Sequence, residues 1–254
     1  MDLLVTVALA GAALVAGTID AIAGGGGLIT LPSLLAAGLP TGIALGTNKG
    51  QSSFGSFSAL VNFWRAGAID ARRAPVSFVA GFVGSLAGAR LVVEVPPVTL
   101  RPVVLVMLLG VAAALTFRPD LANVPEDAAP SQPSVSRAAA IAGIIGAYDG
   151  FFGPGTGTFL IMAYVTWMRD PLIRASANAK VVNFASNLAA LSIFAHHGVV
   201  RWEVALPMAA AQFAGGALGA RLTLWRGNRF VRVVVLVVVA ALVLKLATDL
   251  ARTR

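Results

Sequence analysis

The chain has 254 residues, 57% of them hydrophobic and 12% charged, with a net charge of +8, two histidines and no cysteine. Soluble domains carry about 25% charged residues, so a globule surrounded by water is excluded, as are disulfides, haem attachment and thiolate-bound metals. The arginines gather at the ends of apolar runs, where the positive-inside rule puts them; this removes nucleic acid as a partner and leaves an all-α polytopic membrane protein, since the alternating segments of a β-barrel are absent.

The first run, 3–22, lacks the basic start of a signal peptide and reads as a retained helix. It ends in "AGGGGLITLP", residues 23–32, where four glycines in a row break the backbone. The next segment, 27–37, has eleven residues. At about 1.5 Å per residue it covers roughly half of a ~30 Å hydrocarbon core. Segments 43–65, 74–93 and 99–117 follow. "RPDLANVPEDAAPSQPSVSR", 118–137, is rich in Pro, Ser and acid and reads as an exposed linker. Five more segments complete the chain: 138–152, a half-length 157–168 after the break "GFFGPGTGTF", then 174–197, 203–224 and 230–250.

These segments repeat. Shifted by 131 residues, Gly24 meets Gly155, Gly26 meets Gly157, Pro40 meets Pro171, Lys49 meets Lys180 and Arg101 meets Arg232, and "GARL" at 88–91 meets "GARL" at 219–222. Residues 1–117 are thus a first transmembrane repeat, 118–137 a linker and 138–254 a second repeat. Five segments per repeat make the second enter from the opposite side. The arginines agree: Arg65, Arg72 and Arg73 face a mate with Arg201 alone, while Arg226, Arg229 and Arg232 face an arginine-poor mate. The expectation is two inverted repeats with Gly/Pro-broken half-helices near the midplane. Loops 65–75, 118–137, 169–174 and 224–232 are then cytoplasmic and both termini lie outside.

Broken helices at membrane depth are tolerated where they face protein or a water-filled cavity, and matched breaks in two repeats point to a substrate site. A half-helix starting at Leu28 or Thr158 would offer unpaired N–H groups and a positive dipole end to an anion. Gly24, Gly25, Gly26 and Gly27 form one such cradle, and Gly155, Thr156 and Gly157 the other. The alternative is a hinge or close packing. Lys49 and Lys180 lie inside apolar helices, and an intramembrane charge is a functional hypothesis by default. Around them stand Thr47, Asn48, Gln51, Ser52, Asn178, Asn183 and Asn187, able to bind the oxygens of a small anion. Snorkelling lysines or polar helix glue are the structural alternatives. Asp20 and Asp149, near the breaks, are candidates to carry a coupling proton, to neutralise the lysines, or to end at the water interface. "GSLAG" (84–88) and "GGALG" (215–219) are GxxxG faces for tight contact within the fold or in a homodimer. No metal or cofactor is expected; His196 and His197 stand without a third ligand.

"AGTIDAIAGGGGLITLPSLLAAGLPTGIALGTNK" and "AGIIGAYDGFFGPGTGTFLIMAYV" resemble the TauE/SafE family of membrane permeases, over nearly the whole chain. The resemblance implies a secondary transporter of a sulfur-containing anion, such as sulfite or an organosulfonate, in the bacterial inner membrane, driven by membrane potential or a proton gradient. It points to Gly24–Gly27 and Thr47–Lys49 in one half and to Gly153–Gly157 and Asn178–Lys180 in the other. Here the second half departs: Pro154 and Thr156 interrupt the glycines, and Ala179 stands where Asn48 has its mate. An anion channel with the same site is one rival. An intramembrane enzyme and an assembly subunit are others, though Ser52, Ser56, His196 and Asp149 form no catalytic dyad by spacing.

Overall fold

The computed structural model describes the backbone of residues 2–116 and 134–252 and the side chains of 2–108 and 134–237. All regular structure among the described residues is helical: α1 Leu3–Ala23, α2 Gly27–Ala36, α3 Thr41–Arg65, α4 Ala74–Glu94, α5 Pro97–Thr116, α6 Val135–Phe151, α7 Thr156–Met168, α8 Leu172–His196 and α9 Trp202–Arg252. The expected segments match these within three residues, and the last two, 203–224 and 230–250, are two helices that meet within α9 at a kink on Gly227 (φ 79°, ψ −175°). The linker 118–137 lies largely outside the described residues, and its last positions belong to α6, which Ser134 caps by accepting the Arg137 N–H at 3.3 Å.

Pro40 and Pro171 start α3 and α8. Each lacks the N–H a continuing helix would need and sits in an extended conformation, which separates the half-helix from the long helix after it.

α3 and α8 pass through the middle of the bundle, packed on each other. α1 lies along α9, and α4 along α6. Both contacts are glycine-lined. A Cβ on Gly84 or Gly88 would run into the backbone of Gly143 and Ala147 on α6; one on Gly215 or Gly219 would meet Leu14 and Thr18 on α1. Both GxxxG faces are therefore used inside the chain, where van der Waals contact at close backbone approach holds membrane helices together.

The outside is apolar and the middle polar. Val79, Val83, Ile144, Leu206 and Trp225 are exposed, while Lys49, Lys180, Asp149, Asn48 and Gln51 are buried. α1 and α4 are each long and apolar enough to cross a bilayer. α2 and α7, with 10 and 13 residues, are too short. α3 and α8 have 25 residues each and pay for their polar interior with lower hydropathy. This distribution is that of a helical membrane protein.

Candidate functional site

The two breaks touch. Gly24 ends α1 in the left-handed region at φ 80°, its N–H held by the Asp20 carbonyl at 2.9 Å. A side chain on Gly24 would collide with the backbone of Gly157, and a Cβ on Gly157 would lie 2.5 Å from Gly24 Cα. Thr158 of α7 donates its N–H to the Gly24 carbonyl at 3.2 Å and its hydroxyl to the Ala23 carbonyl at 2.9 Å. Glycine is required at this crossing both for positive φ and because backbone meets backbone.

α2 starts at Gly27, where the segment 27–37 begins, and α7 at Thr156, one residue before the segment 157–168. The N–H groups of Leu28 and Thr158 are not unpaired, as expected from sequence, but engaged by the carbonyls of Gly25 (3.1 Å) and Gly24. The first turns of both half-helices bond to the breaks themselves.

The second break is built on Gly153 (φ 100°), Pro154 and Gly155 (φ 84°), with the Tyr148 hydroxyl donating to the Pro154 carbonyl at 2.6 Å. It corrects the register of the repeat. Asp20 stands four residues before Gly24, and Asp149 four before Gly153. The two aspartates are thus 149 − 20 = 129 apart, whereas the two lysines are 180 − 49 = 131 apart. A single shift of 131 set Asp20 against Phe151 and hid the match. The two additional residues fall inside the second break.

Each aspartate pairs with a lysine of the other half. Lys49 donates to Asp149 Oδ1 at 2.7 Å and to Asn187 Oδ1 at 3.1 Å. Asp149 Oδ1 also accepts the Thr156 hydroxyl at 2.9 Å, and Asp149 Oδ2 accepts the Ser186 hydroxyl. Lys180 donates to Asp20 Oδ2 at 2.8 Å, and the Gly26 N–H reaches Asp20 Oδ1 at 3.3 Å. The lysines are 2% and 0% exposed, so neither snorkels. A buried charge is tolerated when paired and hydrogen-bonded.

Between the pairs lies a polar cavity of about 20 Å³. Of the residues read from sequence, Gly24, Gly27, Asn48, Lys49, Ser52, Gly153, Gly157, Asn183 and Asn187 line it, with Asp20 and Asp149. Gln51 stands behind it, donating to Asn48 Oδ1 at 2.9 Å and to Ser52 Oγ at 3.1 Å. The Thr30 hydroxyl donates to the same Asn48 oxygen at 2.6 Å, a contact that no sequence pattern announced. Asn183 Oδ1 is buried and accepts no hydrogen bond from the described residues. Gly25, Gly26 and Gly155 shape the breaks without lining the cavity.

Thr47 and Asn178 are elsewhere. They sit at opposite ends of the α3–α8 pair and hold loops. Thr47 Oγ1 accepts the Arg201 N–H at 3.0 Å, and Asn178 Oδ1 accepts the Asp70 N–H at 2.9 Å.

The Asn178 end carries a cluster that the sequence reading missed. Arg73 donates from Nη2 to both oxygens of Asp170 at 2.9 Å and from Nε to Asp70 Oδ2 at 2.8 Å. Arg174 reaches the same Asp70 oxygen at 3.2 Å, and the Asn178 amide donates to Asp170 at 3.2 Å. Burial pushes the Asp70 carboxyl up, but the Arg73 charge and the N–H groups of Arg72 and Arg73 outweigh it and hold the carboxyl below its ordinary value. Burial likewise pulls the Arg73 guanidinium down, and Asp170 and Asp70 raise it beyond its ordinary value. The signal available was six charged residues, Asp70, Arg72, Arg73, Arg169, Asp170 and Arg174, confined to two short stretches, 66–73 and 169–174.

Known proteins resemble the chain over this whole architecture. The family model described as "Sulfite exporter TauE/SafE" matches residues 9–246. A Sinorhizobium protein named "Probable membrane transporter protein ORF9" is 36% identical over 238 residues, covering 94% of this chain and 90% of its own. The Escherichia coli K12 "Probable membrane transporter protein YfcA" is 37% identical over 237 residues, covering 93% and 87%. A "Probable membrane transporter protein" of Haemophilus influenzae is 36% identical over 235 residues, covering 92% and 91%. No solved structure matches. A match of this extent, over helices that bury charge and expose apolar surface, gives the chain its place: it belongs to the TauE/SafE family of membrane transporters.

Proposed function

We propose that this chain is a secondary transporter of a small sulfur-containing anion, sulfite or an organosulfonate, working by alternating access in the bacterial inner membrane. The observation that carries this reading is the polar cavity between two touching helix breaks, lined or flanked by two lysine–aspartate pairs that cross from one half to the other. The sulfur chemistry comes from the family description and the resemblance. The lysines, amides and hydroxyls suit any small oxyanion.

An inverted relation between the halves is part of the proposal. In its support, α1 packs on α9 as α6 packs on α4. Gly17 meets Gln212 where Gly146 meets Gly81, and 212 − 81 is 131. The bond from Asp70 N–H to Asn178 has its counterpart in that from Arg201 N–H to Thr47, again 131 residues on for each partner, at the other end of α3 and α8. Equivalent contacts at opposite ends are what an inverted repeat gives.

A cavity of about 20 Å³ holds roughly one water molecule, which is less than a tetrahedral oxyanion needs. Anion entry therefore goes with separation of at least one ion pair. The gates of this scheme are the contacts at the two ends of the α3–α8 pair, the Arg73 cluster at one and the close approach of Gly46 to the Val199 backbone at the other. Rocking of the halves opens them in turn. Net negative charge leaving a negative-inside cell gains about 2.3 kcal/mol per charge per 100 mV, which favours export of an anion that moves as net charge, whereas an anion that moves with a proton through Asp20 or Asp149 draws on the proton gradient.

The test is counterflow of radiolabelled sulfite, taurine, sulfoacetate, sulfate and chloride in proteoliposomes. One sulfur anion should exchange saturably, and Lys49→Ala and Lys180→Ala should each abolish exchange. Passive flux without counterflow would establish a channel. Full exchange in both lysine variants would remove the site.

A further inference from the structure

The two lysine–aspartate pairs are equivalent in position and unequal in construction. We propose that Asp20 alone is the exchanging group: it acts as a built-in stand-in for the transported anion, and each anion that binds displaces it as Asp20 takes up one proton. This rests on the transporter reading above.

Asp149 is fully engaged. Its carboxylate accepts Lys49 Nζ, the Thr156 hydroxyl and the Ser186 hydroxyl, and its side chain is 3% exposed. Were it to let Lys49 go, the ammonium would still hold Asn187 Oδ1. Protonating Asp149 would leave three donors competing for a weaker acceptor, an arrangement that resists change.

Asp20 is lightly held. It accepts Lys180 Nζ and, at a long 3.3 Å, the Gly26 N–H, and its side chain is 16% exposed. Lys180 is completely buried and has no acceptor but Asp20 among the described residues. An unpaired ammonium in that position is costly, so Lys180 can leave Asp20 only when another anion takes over.

The two donors on Asp20 are also those an oxyanion wants. One is an ammonium. The other is a backbone N–H at the start of α2, where the helix dipole favours negative charge. A carboxylate that bridges them is a competitor for the same oxygens as a sulfite or sulfonate.

The charge balance is simple. A proton from the aqueous side adds to the Asp20 carboxylate, the ion pair to Lys180 breaks, and the anion forms the new pair with Lys180 and the Gly26 N–H. On release the anion leaves, Asp20 gives up its proton to water, and the pair closes again. A monovalent anion thus moves with one proton and no net charge; a divalent one carries one negative charge. The charged groups facing Asp20 are Lys180 of α8 and, across the cavity, Lys49 of α3 and Asp149 of α6. α9 meets this stretch of α1 with Gln212, Gly215 and Gly219, and α2 and α7 meet it with glycine and threonine of the breaks.

The experiment measures proton uptake with a pH indicator in weakly buffered detergent solution as anion is added to the purified full chain. The probes are sulfate and isethionate, whose charges stay constant, and sulfite, whose own titration is subtracted. Wild type should take up about one proton per anion bound, and affinity should rise as pH falls, because the competent fraction scales the apparent affinity. Asp20→Asn should bind with affinity raised roughly tenfold at neutral pH, independent of pH and with no proton uptake. It should sustain counterflow but lose accumulation driven by a pH gradient. Anion binding by wild type without proton uptake, or a pH-dependent Asp20→Asn, overturns the inference and leaves the transporter reading standing. Failure of wild type to bind any of the three anions at any pH overturns both. Should Asp20→Asn not fold, Asp20→Ser provides the same comparison, and the wild-type stoichiometry decides by itself.

Discussion

Arg73 grips Asp170 through a single nitrogen that donates to both carboxylate oxygens at 2.9 Å, and so fastens the loop after α3 to the loop before α8. Both partners are buried, at 4% and 1% exposure. Removing one member of such a pair strands the other. Asp170→Asn or Arg73→Gln should cost about 3–5 kcal/mol, visible as a lower unfolding midpoint in detergent. Arg73→Lys should recover little, since an ammonium cannot bond Asp70 and Asp170 in the same fork. Full stability in Arg73→Lys would show that charge alone holds the loops.

The same cluster makes stability depend on acid. Asp70 has a folded value below its ordinary 3.8. A carboxyl lowered in this way binds its proton more readily when unfolded, so its stabilisation is complete above the unfolded value and lost as pH falls through the folded one. Unfolding midpoints should therefore drop below about pH 4, and the drop should be smaller in Asp70→Asn. An unchanged acid profile in that variant would assign the loss to other carboxylates.

Lys49 and Asp149 form a buried pair whose two single losses should differ from the double. Lys49→Met leaves a buried carboxylate with two hydroxyls and no counter-charge, and Asp149→Asn a poorly matched ammonium, each destabilising by about 3–5 kcal/mol. Lys49→Met with Asp149→Leu removes both charges and should recover most of that, while anion exchange stays lost. A double variant as unstable as the sum of the singles would show that the pair is not coupled.

The crossing of the two breaks leaves no room for a methyl group. Gly24→Ala adds strain at φ 80° and a clash with Gly157; Gly157→Ala meets Gly24 Cα. Neither neighbour is a flexible side chain that gives way. Both variants should run as aggregates on size-exclusion chromatography, whereas Gly11→Ala, where a Cβ meets nothing, should run as wild type.

The sequence was most readable where physics leaves a pattern. Apolar length set the helices, proline marked the starts of α3 and α8, and two lysines in oily segments announced the polar centre. Glycine runs located the breaks. Pairing was hidden, because it is made in three dimensions: nothing in the order of residues joins Lys49 to Asp149, one hundred positions away, or Thr30 to Asn48. Register was obscured where the second break is two residues longer, and that concealed the match of Asp20 with Asp149. Thr47 and Asn178 were drawn into the site by sitting next to Asn48 and near Lys180, although on a helix neighbouring residues face different ways.

The crosswise pairing also bears on how the chain is made. Asp20 and Lys49 are synthesised first, and the partners that neutralise them, Lys180 and Asp149, come 160 and 100 residues later. During insertion the leading half carries one acid and one base into the lipid with neither of its final partners in existence. It has to keep them together, or in contact with water or the insertion machinery, until α6 and α8 arrive. Maturation then becomes an exchange of partners, and a ribosome that stops after α5 releases a fragment with no stable resting place in the bilayer.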